Sequence, residues 1–265
     1  MAFDSRPRSR VLDALDGEEP VFGATVLTAS PAMIEALASV ELDYVWVDLE
    51  HAGPSPYDTE AIASLARAAE VADVDLLIRV PEASRTMINS VVDAGADVVL
   101  VPKVDSAEEA RRAVRAARFE HDGEPGDRGA PLTRSSGWTT ADADLPSRAD
   151  RSVGVGVMLE TAAAVDAASE ILAVPGVAFG FVGPGDLSIS AGRPLESDHP
   201  DVGPQLDRLE RAAADVDAAL GRIATDPAEI ATAIGSGYRV FRIGVDTVAV
   251  ASTVTDRLAE ARSRF

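Results

Sequence analysis

The chain runs to 265 residues, 46% of them hydrophobic, enough for one large or two small cores. It has no cysteine for a disulfide, a thiolate nucleophile or a Cys-ligated zinc, and no apolar run near the ~20 residues that cross a bilayer. A net charge of −20 repels phosphate backbones and anionic membrane surfaces, so neither nucleic acid nor membrane is the expected partner. The opening Met1-Ala2-Phe3-Asp4-Ser5-Arg6 is polar and lacks a secretory apolar stretch. A soluble, cytoplasmic protein is expected. Among the basic residues Lys103 is the lone lysine, and aspartate outnumbers glutamate. That bias suits a surface hydrated in molar salt, as in a halophile.

Short β-branched runs alternate with helical patterns along the chain. The predicted strands are Val21–Leu27, Tyr44–Asp48, Leu76–Arg79, Val98–Val101, Val155–Leu159, Phe179–Val182, Arg222–Ala224 and Arg239–Ile243. Helices are predicted near 31–39, 59–71, 84–94, 106–118, 161–173, 204–219, 226–235 and 246–262. Ser106, Thr161 and Asp226-Pro227 stand where helix caps belong. Eight strand–helix pairs in one α/β chain predict a single-domain (β/α)₈ TIM barrel over residues 1–265. An open doubly wound sheet would show a Gly-rich loop after its first strand, and Thr25-Val26-Leu27-Thr28-Ala29-Ser30 is not one. Residues 119–151 break the rhythm as a long polar connection, which in a compact domain is functional or mobile. His121 and His199 read as surface residues, Trp46 as core, and Trp138 as either a lid residue or an oligomer contact. Arg128 stands at even odds of lining the site.

Barrel enzymes place chemistry at the C-terminal ends of their strands. Those ends carry Thr25, Asp48-Leu49-Glu50-His51, Arg79, Pro102-Lys103, Glu160, Gly183-Pro184-Gly185-Asp186, Thr225 and Gly244-Val245-Asp246. Any single Asp among them could be a helix cap, but four acids, a histidine and an arginine converge on one rim. Such a set suits a divalent cation, because hard ions take oxygen ligands and two carboxylates leave positions open. Glu160 and Asp186 follow adjacent strands and could share that ion. The turn Gly183–Ser188 offers free backbone N–H groups to a substrate carboxylate. Arg79 supplies a permanent donor for an oxyanion, and His51 is the natural acid/base.

The blocks Phe22-Gly23-Ala24-Thr25, Val47-Asp48-Leu49-Glu50-His51, Ile78-Arg79-Val80-Pro81, Asp93-Ala94-Gly95-Ala96, Val101-Pro102-Lys103-Val104, Gly126-Asp127-Arg128-Gly129, Leu159-Glu160-Thr161, Gly183–Ser188 and Gly244-Val245-Asp246 together resemble the HpcH/HpaI aldolase family. The resemblance runs in order from about residue 20 to the C-terminus. It implies a class II, divalent-metal aldolase (Mg²⁺ or Mn²⁺, with Co²⁺ also accepted). Such an enzyme cleaves a 2-keto-3-deoxy sugar acid or 4-hydroxy-2-keto acid to pyruvate and an aldehyde. It implies Glu160 and Asp186 as metal ligands, Arg79 as the group that steadies the enolate, and His51 with Asp48 as the acid/base pair. Glu50 would hold metal-bound water, and N–H groups of Gly185 and Asp186 the pyruvate carboxylate. A homo-oligomer is implied, a hexamer exchanging terminal helices.

Three positions depart from the family pattern. Thr25 stands for a tryptophan, Met158 for a glutamine, and Lys103 for a methionine. The Pro-Lys-Val form resembles the citrate-lyase β-subunit and malyl-CoA lyase branch, so an acyl-CoA lyase is the enzymatic alternative and a non-catalytic barrel subunit the other. Lys103 also sits where a Schiff-base aldolase keeps its nucleophile. The surrounding carboxylates would hold its ammonium protonated, so it is expected to be an electrostatic or structural partner. The charge balance yields the first testable prediction. At 0.01 M salt the Debye length is ~30 Å and the acidic shell repels itself, so the melting temperature should rise with KCl into the molar range. A melting temperature indifferent to salt would remove the halophilic reading.

Overall fold

The computed structural model describes residues 9–130, 132–138, 143–194, 196 and 199–265. Eight strands form the barrel: β1 Val21–Thr25, β2 Tyr44–Asp48, β3 Asp75–Arg79, β4 Val98–Val101, β5 Gly154–Leu159, β6 Val177–Val182, β7 Leu220–Ile223 and β8 Tyr238–Val245. They pair in sequence order, all parallel, and β8 closes on β1. Among the described residues no helix is long and apolar enough to cross a membrane.

Side-chain alternation splits the core into two layers. Val45, Val47, Leu76, Ile78, Val99, Val101, Val155 and Val157 pack outward under the helices. Tyr44, Trp46, Leu77, Val98, Leu100, Met158, Phe179, Phe181 and Val240 fill the interior. Both faces being buried, the strands read as continuous apolar runs, and this is why they were legible in sequence. Large interior rings need small residues opposite them. A Cβ on Gly23 would lie 2.4 Å from the Tyr44 ring, and one on Gly156 2.5 Å from Phe179.

The predicted caps form. Ser106 Oγ accepts from Glu109 N, Thr161 Oγ1 from Ala164 N, and Asp226 Oδ1 from the N–H groups of Ala228 and Glu229. The helix expected over 161–173 is two pieces, Ala162–Asp166 and Ala168–Leu172, broken at Ala167. The helix Arg10–Asp16 was not anticipated, because seven residues give too little periodicity. It plugs the barrel floor with Val11, and Asp75 Oδ2 accepts from Ser9 Oγ at 2.5 Å and Val11 N at 2.9 Å.

The 119–151 connection is more structured than its polarity suggested. Its described parts include the hairpin Glu120–His121/Glu124–Pro125, a 3₁₀ turn at Arg134–Ser136 and the helix Leu145–Ser152. The reading of His121 as a surface residue is corrected: it is buried, with Nε2 2.8 Å from the Pro175 carbonyl. Arg128 is buried among residues of this connection and the helix Arg85–Ala94. Its guanidinium lies over the Phe119 ring at 4.8 Å and donates to Ser135 Oγ at 2.9 Å, beside Asp93 on the helix Arg85–Ala94. His199 is partly covered, with Nδ1 3.4 Å from Asp201, and Trp138 is exposed.

The C-terminal helix Asp246–Arg262 begins on a buried carboxylate. Asp246 accepts hydrogen bonds from Leu27 N, Thr28 N, Thr28 Oγ1 and Thr247 N, tying this helix to the loop after β1. Beyond Asp246 every residue of the helix is exposed. The tight fit at β5 generates a prediction. Gly156→Ala drives a methyl into Phe179 and should cost about 1–3 kcal/mol, the usual range for overpacking, read as a lower urea midpoint at unchanged slope.

Candidate active site

The C-terminal strand ends assemble the site. β2 and β3 pair with Asp48 opposite Arg79, and the two side chains close a bidentate clasp. Arg79 Nε donates to Asp48 Oδ1 at 2.9 Å and Nη2 to Oδ2 at 2.5 Å. The same Oδ1 accepts from Glu50 N at 3.0 Å, which turns the chain so that the Glu50 side chain faces back to the rim. There Glu50 gathers three nitrogen-bearing side chains. Arg79 Nη1 lies at 3.1 Å, Lys103 Nζ at 3.2 Å and His51 Nε2 at 3.6 Å.

These contacts set the charge states. Burial alone would raise the Asp48 pKa, but the hydrogen bonds and charge of Arg79, with backbone N–H groups of Glu50 and His51, hold it below the ordinary carboxylate range. For Arg79 burial pulls downward, and Asp48, Glu50 and Glu160 outweigh it. Asp48 is therefore an ionised anchor. It meets His51 through the backbone, and the carboxylate nearest the exposed imidazole is that of Glu50.

Glu160, at the end of β5, is buried and pushed up to about 7. Burial is the largest cause, the charges of Asp186 and Glu50 add to it, and Lys103 N–H with Arg79 oppose it. The Lys103 N–H lies 2.8 Å from Glu160 Oε1. To place it there, Lys103 takes a left-handed conformation, φ +52°, which non-glycine residues adopt at a cost. Its ammonium extends into solvent toward Glu50. Asp186 is exposed in the first turn of the helix Pro184–Ser190, beside an open Gly185 whose surroundings would admit a Cβ without contact.

Among the described residues no cluster of three or more His, Cys, Asp or Glu side chains is gathered around a metal position. The acidic pair Glu160 and Asp186 offers two hard oxygen donors instead. That suits a cation of the Mg²⁺ type, which binds through one or two carboxylates and keeps its remaining positions for water and substrate. The like-charge strain on Glu160 is what a divalent ion would relieve.

One residue escaped the sequence reading. Val240 and Arg242 stand two residues apart along β8, so Arg242 shares the inward face of Val240. Its guanidinium lies 6.0 Å from the Trp46 ring centroid, and that of Arg79 lies 5.7 Å from the same centroid. The alternation alone could have revealed an inward arginine. Trp46, expected in the core, is buried there and meets Phe181 edge-on at 5.0 Å.

An acid pair and an arginine clamp at the mouth of a closed parallel barrel define a carbon–carbon lyase of the aldolase type, and the comparisons agree. Residues 22–253 match the family model HpcH/HpaI aldolase/citrate lyase. A hydroxypyruvate/pyruvate aldolase from Paraburkholderia phytofirmans is 33% identical over 92% of this chain and 94% of its own. A 2-keto-3-deoxy-L-rhamnonate aldolase from Klebsiella pneumoniae is 32% identical over 99% and 95%. The crystal structure of an HpcH/HpaI aldolase/citrate lyase family protein from Burkholderia cenocepacia superposes with TM-score 0.88 at 31% identity, covering 96% of this chain and 99% of that one. The chain belongs to the HpcH/HpaI aldolase/citrate lyase family, and the class II aldolases of that family are divalent-metal dependent.

The burial of Glu160 predicts a pH effect on the metal-free protein. Its folded pKa, about 7, lies above the ordinary 4.5. Through that window the folded chain keeps a proton the unfolded chain has lost, so stability falls as pH rises from the ordinary value to about 7 and levels off above it. Ionising this carboxyl costs the fold on the order of 3 kcal/mol by linkage. In EDTA, Glu160→Gln should therefore lose less stability than wild type between pH 5 and pH 8, read by urea unfolding. Equal pH dependence of the two proteins would contradict a buried, strained Glu160.

Proposed function

We propose that this lyase splits the C3–C4 bond of a 4-hydroxy-2-keto acid or 2-keto-3-deoxy sugar acid, releasing pyruvate and an aldehyde. Glu160 and Asp186 hold the divalent cation, Mg²⁺ or Mn²⁺, and their oxygen donors also accept Co²⁺. The observation that carries the reading is the juxtaposition of this acid pair with Arg79, itself clasped by Asp48 and Glu50. Relatives named hydroxypyruvate/pyruvate aldolase and 2-keto-3-deoxy-L-rhamnonate aldolase support a 2-keto acid as the substrate class.

When bound, the cation supplies Lewis acidity toward a chelating keto acid. The chain's own groups do the rest. N–H groups of Gly185 and Asp186 receive the substrate carboxylate. His51 takes the C4 hydroxyl proton as the C3–C4 bond breaks. The bond's electrons pass into an enolate, and a proton delivered to C3 completes pyruvate. Arg79 faces that negative charge with a cation that cannot deprotonate. Asp48 fixes the guanidinium and the 50–51 turn, and Glu50 orients the imidazole. Lys103 serves through its N–H on Glu160 and its charge on Glu50. The assembly is a homo-oligomer, a hexamer by the family pattern. Its support is the exposed C-terminal helix, where Val250, Val254 and Leu258 form an apolar stripe at four-residue spacing.

A panel of 2-keto acids assayed for pyruvate release, with EDTA and metal add-back, tests the reading. Asp186→Asn should fold normally yet lose metal and nearly all turnover. His51→Ala should keep metal and pyruvate binding while cleavage slows roughly 10²–10⁴-fold, the usual loss for a general base. Full activity of Asp186→Asn in EDTA would sink the metal assignment.

A further inference from the structure

Three carboxylates lie within one another's field at the barrel mouth, since Glu50 and Asp186 both add their charge to buried Glu160. Hard divalent ions take carboxylate oxygens readily, so a third acid at this rim could become a third ligand. Both oxygens of Glu50 are engaged instead. Oε2 faces Arg79 Nη1 at 3.1 Å and His51 Nε2 at 3.6 Å, and Oε1 faces Lys103 Nζ at 3.2 Å. Arg79 is buried and anchored by Asp48, whereas the Lys103 side chain is 64% exposed. The ammonium, on the solvent side, is what holds Oε1.

The backbone of Lys103 is as constrained as its head. Its N–H donates to Glu160 Oε1 at 2.8 Å from a residue at φ +52°. Glycine adopts that conformation freely, and other residues do so at a cost. Glycine would serve the N–H contact equally well, so a side chain kept at this cost has a use of its own. That side chain is the lone lysine of a chain whose other permanent cations are arginines. An ammonium is a compact point charge with rotatable donors, where a guanidinium is a planar fork. One residue thus steadies Glu160 through its main chain and restrains Glu50 through its charge.

We propose that Lys103 is the positioning residue that keeps Glu50 out of the cation's ligand set, so that two carboxylates bind the ion and its other positions stay open to the keto acid. The inference rests on the aldolase reading, in which Glu160 and Asp186 hold the cation. Two carboxylates balance a divalent charge. A third would leave the centre negative toward an anionic substrate, and would fill a position that a chelating substrate needs.

The test reads metal binding rather than turnover. Wild type, Lys103→Met, Lys103→Gly, Lys103→Arg, Glu50→Gln and the double variant carrying Lys103→Met and Glu50→Gln are titrated with Mn²⁺ by calorimetry. Water proton relaxation counts the waters left on bound Mn²⁺. Both uncharged variants should bind Mn²⁺ about 10- to 100-fold more tightly, the usual reach of a group just outside a metal's ligands, and with fewer bound waters. Ca²⁺, which takes more oxygen ligands than Mg²⁺, should gain more than Mg²⁺. Oxalate, a planar chelating dianion, should bind the loaded variants more weakly than loaded wild type. Lys103→Arg should stay near wild type. Glycine suits the backbone at this position, so Lys103→Gly keeps the test valid where Lys103→Met folds poorly. With Glu50→Gln already in place, adding Lys103→Met should change affinity little, because no carboxylate remains to move in. Unchanged or weaker Mn²⁺ affinity in the uncharged variants overturns the proposal. So does tightening of equal size with and without Glu50, since charge acting through space would then suffice. A wild type that binds no divalent ion would instead strike the metal reading. Mn²⁺ binding that then appeared in Lys103→Met and required Glu50 would still uphold the restraint, and its absence would overturn it.

Discussion

The bidentate clasp between Asp48 and Arg79 is the contact on which the rest of the site is built. It exists because β2 and β3 are parallel and in register, so that the last residue of one strand faces the last residue of the other. Each partner alone would be expensive to bury at the barrel mouth, and together they share the desolvation cost in a planar, two-bond geometry. Asp48 then reaches the backbone of the following turn, and this sets where Glu50 and His51 stand. A change in strand register would undo the clasp, the turn and the rim at once.

Glu160 shows the opposite economy. Its carboxylate is buried with negative neighbours and receives one backbone N–H from a residue in a strained conformation. The fold loses stability when this group ionises, and a structure selected only for stability would not keep it. Such groups concentrate where chemistry needs a charge that water cannot neutralise. Exposed Asp186, just across the rim, has no comparable restraint and can move with a ligand. The pair thus combines one rigid oxygen donor with one adaptable donor.

The barrel was legible in sequence because strands buried on both faces leave an unbroken apolar signature, and the eight runs Val21–Leu27 to Arg239–Ile243 lie on the eight strands. What escaped was set by tertiary contact. The floor helix Arg10–Asp16 is defined by Asp75, sixty-odd residues away, and no local pattern announces it. His121 reads as a polar loop residue until the Pro175 carbonyl is brought against it. Rim residues Asp48, Glu50, Glu160 and Asp186 were visible because the positions after strands are few and acids there stand out. Their individual duties were not, since which carboxylate meets His51 depends on how one turn folds back. Arg242 lies within the predicted strand Arg239–Ile243, and its place on the inner face emerges from the register of the closed barrel.

Trp46 joins these separate accounts. As an interior residue it packs edge-on against Phe181 and helps close the barrel. As a rim residue it offers its π face to two guanidinium groups that repel each other. Arg79 can then be held by acids at one end of the mouth while Arg242 stays unpaired at the other. An aliphatic residue at position 46 would fill similar space without attracting either cation, and without an N–H to offer. The same side chain that completes the core therefore also draws two like charges to one barrel mouth.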